Sequence, residues 1–163
     1  MISSLRVCLG SLIRYDLTRR GSRPAAGEVP MDWSSTDWKT AALAIVPDLA
    51  REIGEAETPY LLWFDLYHAF REAYIPPIND GLIGQIYQYA KWCLDQPRGG
   101  RYEDDIKTCV CLCFYQNIPL LPPARDELGK WLAPEDFSAL KEVLRFHCDD
   151  DAFERIAAQF RPQ

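Results

Sequence analysis

Residues 108–117, TCVCLCFYQN, decide between a sheet and a helical fold for the whole chain. Cysteines alternate with apolar and β-branched residues through this run, and such alternation is typical of a buried β-strand. Asp104 and Asp105 precede the run, however, and carboxylates in this position indicate the start of a helix. Because no other stretch offers a partner strand, we predict a buried helix. Its apolar residues recur at helical spacing, at Ile106, Val110, Cys113 and Phe114.

The three cysteines of this helix are predicted to pack in the core. Free cysteine behaves as a small hydrophobic residue and is among the most buried residue types. On a helix, Cys109 and Cys113 share one face and Cys111 points elsewhere. A zinc site needs further ligands, and His147 and Cys148, the candidates for a second pair, are adjacent residues that diverge by about 100° on a helix. Core packing is therefore favoured over a redox or metal site, and no metal or cofactor is expected.

Length and charge narrow the class of protein. A chain of 163 residues suits one domain with a sizeable core. The net charge of −6 disfavours nucleic acid and membrane surfaces as partners and favours a basic protein. No apolar stretch reaches the roughly 18 residues that a membrane-spanning helix needs. Six cysteines without a clear secretory signal indicate a reduced, cytoplasmic protein.

Residues 1–30 differ in character from the rest of the chain. Their five arginines stand against Asp16 and Glu28, a charge of +3, which leaves −9 for the remainder. The second methionine of the chain is Met31, where the acidic, helix-patterned part begins. Three interpretations stay open: a mis-assigned start codon, a disordered or loosely docked arm, or a targeting peptide. We predict a helical domain over residues 31–163 and a non-domain extension before it.

Apolar residues follow helical spacing from Trp33 to the end of the chain. Capping residues and prolines mark the helix starts. The predicted boundaries are Thr36 or Asp37 to about Glu55, Thr58-Pro59, Asn79 or Asp80, Asp104 or Asp105, Ala124 to Trp131, Pro134, and Asp151 with Glu154 as a capping box. This pattern predicts an all-α fold, a single domain of about seven antiparallel helices. They form a bundle or a short stack resembling an irregular α-solenoid.

Recognisable catalytic motifs are missing from the sequence. His68 lies between Asp65 and Glu72 at helical spacing, which could orient a general base, but a surface histidine beside a carboxylate is far commoner. Neither a nucleophile elbow nor a glycine-rich phosphate loop occurs, since Gly99 and Gly100 are followed by arginine and tyrosine. We therefore expect a protein that is not an enzyme and has no catalytic residues.

Two acidic runs are the candidate functional residues. They consist of Glu103, Asp104 and Asp105 and of Asp149, Asp150 and Asp151. Helix capping explains one or two carboxylates in each run. A negative surface that engages arginine and lysine on a partner explains all three. Both interpretations stay open, and the second makes these six residues the predicted partner-binding site.

Five stretches carry a resemblance to a known family: PYLLWFDLYHAFREAY (59–74), IGQIYQYAKWCLDQPRG (83–99), DDIKTCVCLCFYQNIP (104–119), ARDELGKWL (124–132) and LKEVLRFH (140–147). They resemble a family of bacterial all-helical domains of unknown function, over most of residues 40–160 and none of 1–30. Small acidic domains of this type are similar to immunity proteins, which are encoded beside large secreted toxins.

The resemblance implies a binding protein and transfers no activity. The expected partner is a cognate toxin with a basic active-site groove, which the acidic domain would occlude. Two alternatives stay open. One is an adaptor or structural domain of a bacterial complex, and the other is a metal-binding protein that uses Cys109, Cys113, His147 and Cys148.

Overall fold

The computed structural model describes residues 37–97 and 105–161. Within these ranges the chain forms nine α-helices, two short 3-10 helices (Pro47–Leu49 and Tyr115–Leu120) and no β-strand, which confirms the all-α prediction. The predicted extension over residues 1–30 lies outside the described residues. The α-helices are α1 Asp37–Ile45, α2 Ala50–Glu55, α3 Pro59–Ala73, α4 Asp80–Asp95, α5 Ile106–Cys113, α6 Pro122–Asp126, α7 Leu128–Trp131, α8 Pro134–Arg145 and α9 Asp150–Ala158.

The cysteine run forms helix α5, as predicted. Asp105 caps its start by accepting a hydrogen bond from the backbone N–H of Thr108 at 3.2 Å. All three cysteines of the helix are buried, Cys111 as well as the pair on the other face. A helix that buries residues on every side must lie between other elements, so α5 lies in the interior of the fold.

Helices α3, α4 and α5 pack against one another and form the centre of the core. Phe114, at the C-terminal end of α5, joins all three. Its ring lies 5.3 Å from Trp63 and 4.9 Å from Phe70 of α3, and 5.3 Å from Tyr87 of α4, measured between ring centroids. Each such aromatic pair adds about 0.5–1.5 kcal/mol beyond the burial of its surface. The central packing is therefore largely aromatic.

Local capping sets the starts of the two longest helices. The hydroxyl of Thr58 accepts from Leu61 N–H at 3.2 Å, and Pro59 occupies the first position of α3. The side chain of Asn79 accepts from Leu82 N–H at 3.0 Å at the start of α4. Both starts agree with the prediction. Their signals, a polar cap in each helix and a proline in α3, act within one helical turn and can therefore be read from the local sequence.

The predicted continuous helix from Thr36 or Asp37 to Glu55 is wrong. The structure ends α1 at Ile45 and begins a 3-10 helix at Pro47. Proline lacks an N–H and disfavours the helical conformation of the preceding residue, and Val46 accordingly has φ −124° and ψ 60°. The apolar spacing continues through the break, which is why periodicity alone joined the two helices.

The predicted helix from Ala124 to Trp131 is also divided. It begins earlier, at Pro122, and Glu127 separates α6 from α7. The outer helices then pack around the centre: α1 lies on α4, α8 on the second 3-10 helix, and α9 on α6. An ion pair of 2.8 Å between Lys91 and Asp136 also links α4 to α8.

Candidate partner-binding surface

The first predicted acidic run falls partly outside the described residues. Glu103 and Asp104 lie there, so their role stays a prediction. Asp105 is described and is buried, with 6% of its surface exposed. Its carboxylate accepts from both the backbone N–H and the hydroxyl of Thr108, the latter at 2.6 Å. Asp105 therefore acts as the cap of α5.

The second acidic run forms the start of α9. Asp149 is the N-cap and accepts from Ala152 N–H at 2.7 Å, whereas the predicted cap was Asp151, which lies inside the first turn. Asp150 pairs with Arg145 at 2.6 Å, and both side chains are well exposed. Carboxylates in the first helical turn offset the positive end of the helix dipole. The helix start thus accounts for the run, and partner binding by Asp149, Asp150 and Asp151 stays a prediction.

The cysteines occupy the core and its edge. Cys93, Cys109, Cys111 and Cys113 are buried, and Cys148 is half-buried with its thiol 3.2 Å from the carbonyl of Leu144. Burial raises the pKa of Cys113 to about 12, so its thiol is protonated at neutral pH. Buried, protonated thiols are poor nucleophiles and poor metal ligands.

The metal alternative gains no geometric support from the described residues. His147, the one histidine among the four proposed metal ligands, is exposed just beyond the end of α8. Across residues 37–97 and 105–161, no three histidine, cysteine or acidic side chains are placed to hold a metal ion. His68, the candidate general base, pairs with Glu72 at 3.1 Å on the open surface of α3. Both side chains are exposed to water, whereas catalytic acids and bases commonly lie in partly buried sites.

The most distinctive surface feature is an exposed apolar strip on α3. We call Tyr60, Leu61 and Phe64 the α3 strip. Their exposed fractions are 43%, 45% and 51%, whereas Leu62 and Trp63 of the same helix are fully buried. The rings of Tyr60 and Phe64 meet edge to face, with centroids 4.9 Å apart, so each limits the motion of the other. The strip covers the first turn and a half of the helix.

The strip borders the cysteine helix on one side. Partial burial raises the pKa of Tyr60, and the nearby thiols of Cys113 and Cys109 in α5 raise it further. Helix α3 packs against α5, and Tyr60 belongs to the part of α3 that is near those thiols. Leu62 and Trp63, which lie between Leu61 and Phe64 in sequence, are fully buried in the core.

Charged side chains continue the exposed face of α3 towards its C-terminus. Asp65 lies one turn after Leu61, and His68 lies one turn after Phe64. Glu57, immediately before the helix, is also exposed, and so are Glu72 and Arg71 further along. Three carboxylates and one guanidinium thus accompany the strip, and its surroundings are net negative.

Sequence reasoning missed the strip, although the signal was present. The apolar residues of α3 span a wide arc, which is equally typical of a helix in the centre of a fold. A helix that begins with Pro-Tyr-Leu-Leu-Trp-Phe carries more apolar residues than one inward face requires. The excess falls at Tyr60, Leu61 and Phe64, whose spacing of one and four residues indicates a second apolar face.

Comparison of the chain with protein-family models, with curated proteins and with solved structures found no match. The resemblance to the helical bacterial family and to immunity proteins therefore stays a prediction. No helix in the described ranges has the length and apolar character that crossing a bilayer requires.

Proposed function

We propose that this chain is a non-catalytic protein-binding domain and that its partner docks on the α3 strip. The exposed aromatic pair of Tyr60 and Phe64 carries the proposal. Contiguous exposed apolar surface with a polar rim is typical of protein interaction sites. Tyrosine and other aromatic side chains supply much of the binding energy at such sites, because they bury a large area with little conformational entropy to lose.

The charge of the domain favours a basic partner. Eleven lysines and arginines stand against nineteen aspartates and glutamates in residues 37–97 and 105–161, a net charge of −8. Opposite charge on a partner accelerates association and aligns the two surfaces before the apolar contacts form. The strip would then provide the desolvated centre of the interface, and the surrounding carboxylates its rim.

Within this class we propose an immunity protein that neutralises a bacterial toxin. A toxin that acts on nucleotides or nucleic acid needs a basic groove, which an acidic domain can occlude. The resemblance described above supports the same choice. Two features of the described residues favour binding over catalysis: the thiols of α5 are buried, and His68 is exposed to solvent.

The test is affinity capture followed by reconstitution. The chain, tagged at its C-terminus, is used to isolate partners from the organism that encodes it, and a stoichiometric partner is then purified. Phe64→Asp should weaken binding of that partner at least about tenfold, the effect of losing an interface anchor. Ile78→Asp is the matched control, because Ile78 is 52% exposed and Phe64 is 51% exposed, and Ile78 lies outside the strip.

Equal loss, or no loss, in the two variants would remove the α3 strip from the interface. The immunity proposal needs a further result, which is inhibition of the purified partner's toxic activity by stoichiometric amounts of this chain. A partner without such activity, drawn from a housekeeping assembly, would support the adaptor alternative instead. Charge reversal at Asp149 and Asp150 should also slow association and reduce its salt dependence if the second acidic run contributes.

A further inference from the structure

We propose that residues 5–15 of the same chain dock on the α3 strip when no partner is bound. This inference rests on the proposed function in one respect, because it assigns the partner's binding surface an intrachain competitor. It applies to the free protein and can be tested without any partner. Three properties support it: the apolar pattern of the segment, its charge, and the position of its attachment.

The segment has the composition of a docking peptide. Apolar residues recur at Leu5, Leu9, Leu12 and Ile13, the spacing that presents one apolar face when such a peptide binds as a helix. Arg6 and Arg14 adjoin these positions in sequence. A peptide with an apolar face and flanking arginines suits an apolar strip that is bordered by carboxylates.

Charge favours contact between the segment and the domain. Residues 1–36 contain five arginines and three acidic residues, a charge of +2, whereas the described ranges carry −8. Glu57 and Asp65, which flank the strip in sequence, are both exposed carboxylates. Arginine beside an exposed carboxylate contributes a modest attraction at each site, and the apolar contacts supply the larger part of the stabilisation.

The attachment point is linked to α3 through packed side chains. Residues 1–36 join the domain at α1, where the carbonyl of Trp38 accepts a hydrogen bond of 3.2 Å from the hydroxyl of Tyr89. The Tyr89 ring stacks on Trp63 of α3, with centroids 5.3 Å apart, and Trp63 adjoins Phe64 in sequence. An extended chain spans about 3.3 Å per residue, so residues 16–36 reach up to about 70 Å. A tether of more than twenty residues between the docking segment and α1 imposes no geometric barrier.

Trypsin cleavage after Arg14 measures docking in the full-length chain. Cleavage follows the undocked population, so we expect it to be about tenfold slower than in the free peptide of residues 1–20. Phe64→Asp in the strip and Leu9→Asp in the segment should each restore the peptide rate. Ile78→Asp should leave the slow rate unchanged. Leu9 lies outside the described core, and circular dichroism of each variant verifies that the helical domain is intact.

A photo-reactive benzophenone amino acid at position 64 identifies the occupant directly. Docking predicts intramolecular cross-links from position 64 to residues 5–15. Cross-links to a second copy, or only to neighbouring helices of the domain, would overturn the proposal, as would equal cleavage rates in wild type and all three variants. If a partner is found, full-length Leu9→Asp should bind it more tightly than wild type. Docking without any partner would leave this inference standing while the proposed function fails.

Discussion

The backbone N–H of Gly129 donates a hydrogen bond of 2.7 Å to Oε1 of Gln159, thirty positions later in the sequence. Nε2 of the same side chain donates to the carbonyl of Arg125 at 2.9 Å. In a continuous α-helix, Gly129 N–H would bond to the Arg125 carbonyl itself. The Gln159 amide thus takes the place of one helical hydrogen bond. This insertion separates α6 from α7 and ties both to α9.

Removing the Gln159 amide should destabilise the fold. We expect Gln159→Ala to lower the free energy of unfolding by about 1–2 kcal/mol, because two hydrogen bonds to backbone groups are lost. Gln88→Ala is the control, since Gln88 is exposed on α4. Its effect should be within about 0.5 kcal/mol of zero. Urea unfolding of both variants measures the difference, and equal effects would show that the insertion contributes nothing.

A side chain at position 129 would be crowded, whereas one at position 54 would not. A Cβ at Gly129 would lie 3.1 Å from Cβ of Gln159, whereas a Cβ at Gly54 would meet nothing within 4 Å. Alanine favours helix over glycine by about 0.5–1 kcal/mol, so Gly54→Ala should raise the free energy of unfolding by that amount. Gly129→Ala should lower it by about 1 kcal/mol, because the close contact outweighs the helix preference. The two substitutions should therefore shift the midpoint temperature of thermal unfolding in opposite directions.

Two buried tyrosines should respond differently to loss of the hydroxyl. Tyr89 donates to the Trp38 carbonyl, and we expect Tyr89→Phe to lower the free energy of unfolding by about 1 kcal/mol. The Tyr87 hydroxyl has no hydrogen-bond partner among the described residues, and burial raises its pKa well above the usual value. Tyr87→Phe should leave stability unchanged or increase it. Greater damage from Tyr87→Phe would indicate that this hydroxyl has a partner in the folded protein.

The two acidic runs can be separated into caps and surface charges. Asp105→Ala should lower the free energy of unfolding by about 1–2 kcal/mol, because it removes the N-cap of α5. Asp151 is exposed and does not cap α9, so Asp151→Ala should change stability by less than about 0.5 kcal/mol. Denaturant titration at pH 7 compares them. Similar losses in both would mean that the runs act through general charge rather than capping.

Thiol reactivity should follow burial and pKa. In a Cys8→Ser chain, the half-buried Cys148 should react first with Ellman's reagent, and Cys93, Cys109, Cys111 and Cys113 only when the protein unfolds. The pKa of Cys148 is raised, chiefly by burial. Its rate should therefore rise about tenfold per pH unit while the pH stays below that pKa, because only the thiolate reacts. Rapid reaction of a second thiol in the native state would contradict the packing of α5.

Local sequence patterns predicted well where helices form, and they predicted poorly which side chains of a helix another element covers. The start of α3 at Thr58-Pro59 and the helix over the cysteine run follow from residues within one turn, and both predictions are confirmed. Pro47 also indicated in the sequence that the helix is interrupted there. The interruption was missed because apolar spacing was given more weight than the proline. The exposed apolar face of α3 was not predicted, because a pattern of apolar residues does not tell which of them another element covers.

The sequence by itself determined the all-α class, the capped helix starts and the burial of the three cysteines of α5. These features depend on propensity, capping and hydrophobic spacing, which act over a few residues. Only the tertiary structure decided that Gln159 divides α6 from α7, and that Tyr60, Leu61 and Phe64 stay exposed while Leu62 and Trp63 do not. Both outcomes depend on which distant segments meet, since a side chain is buried only where another element covers it.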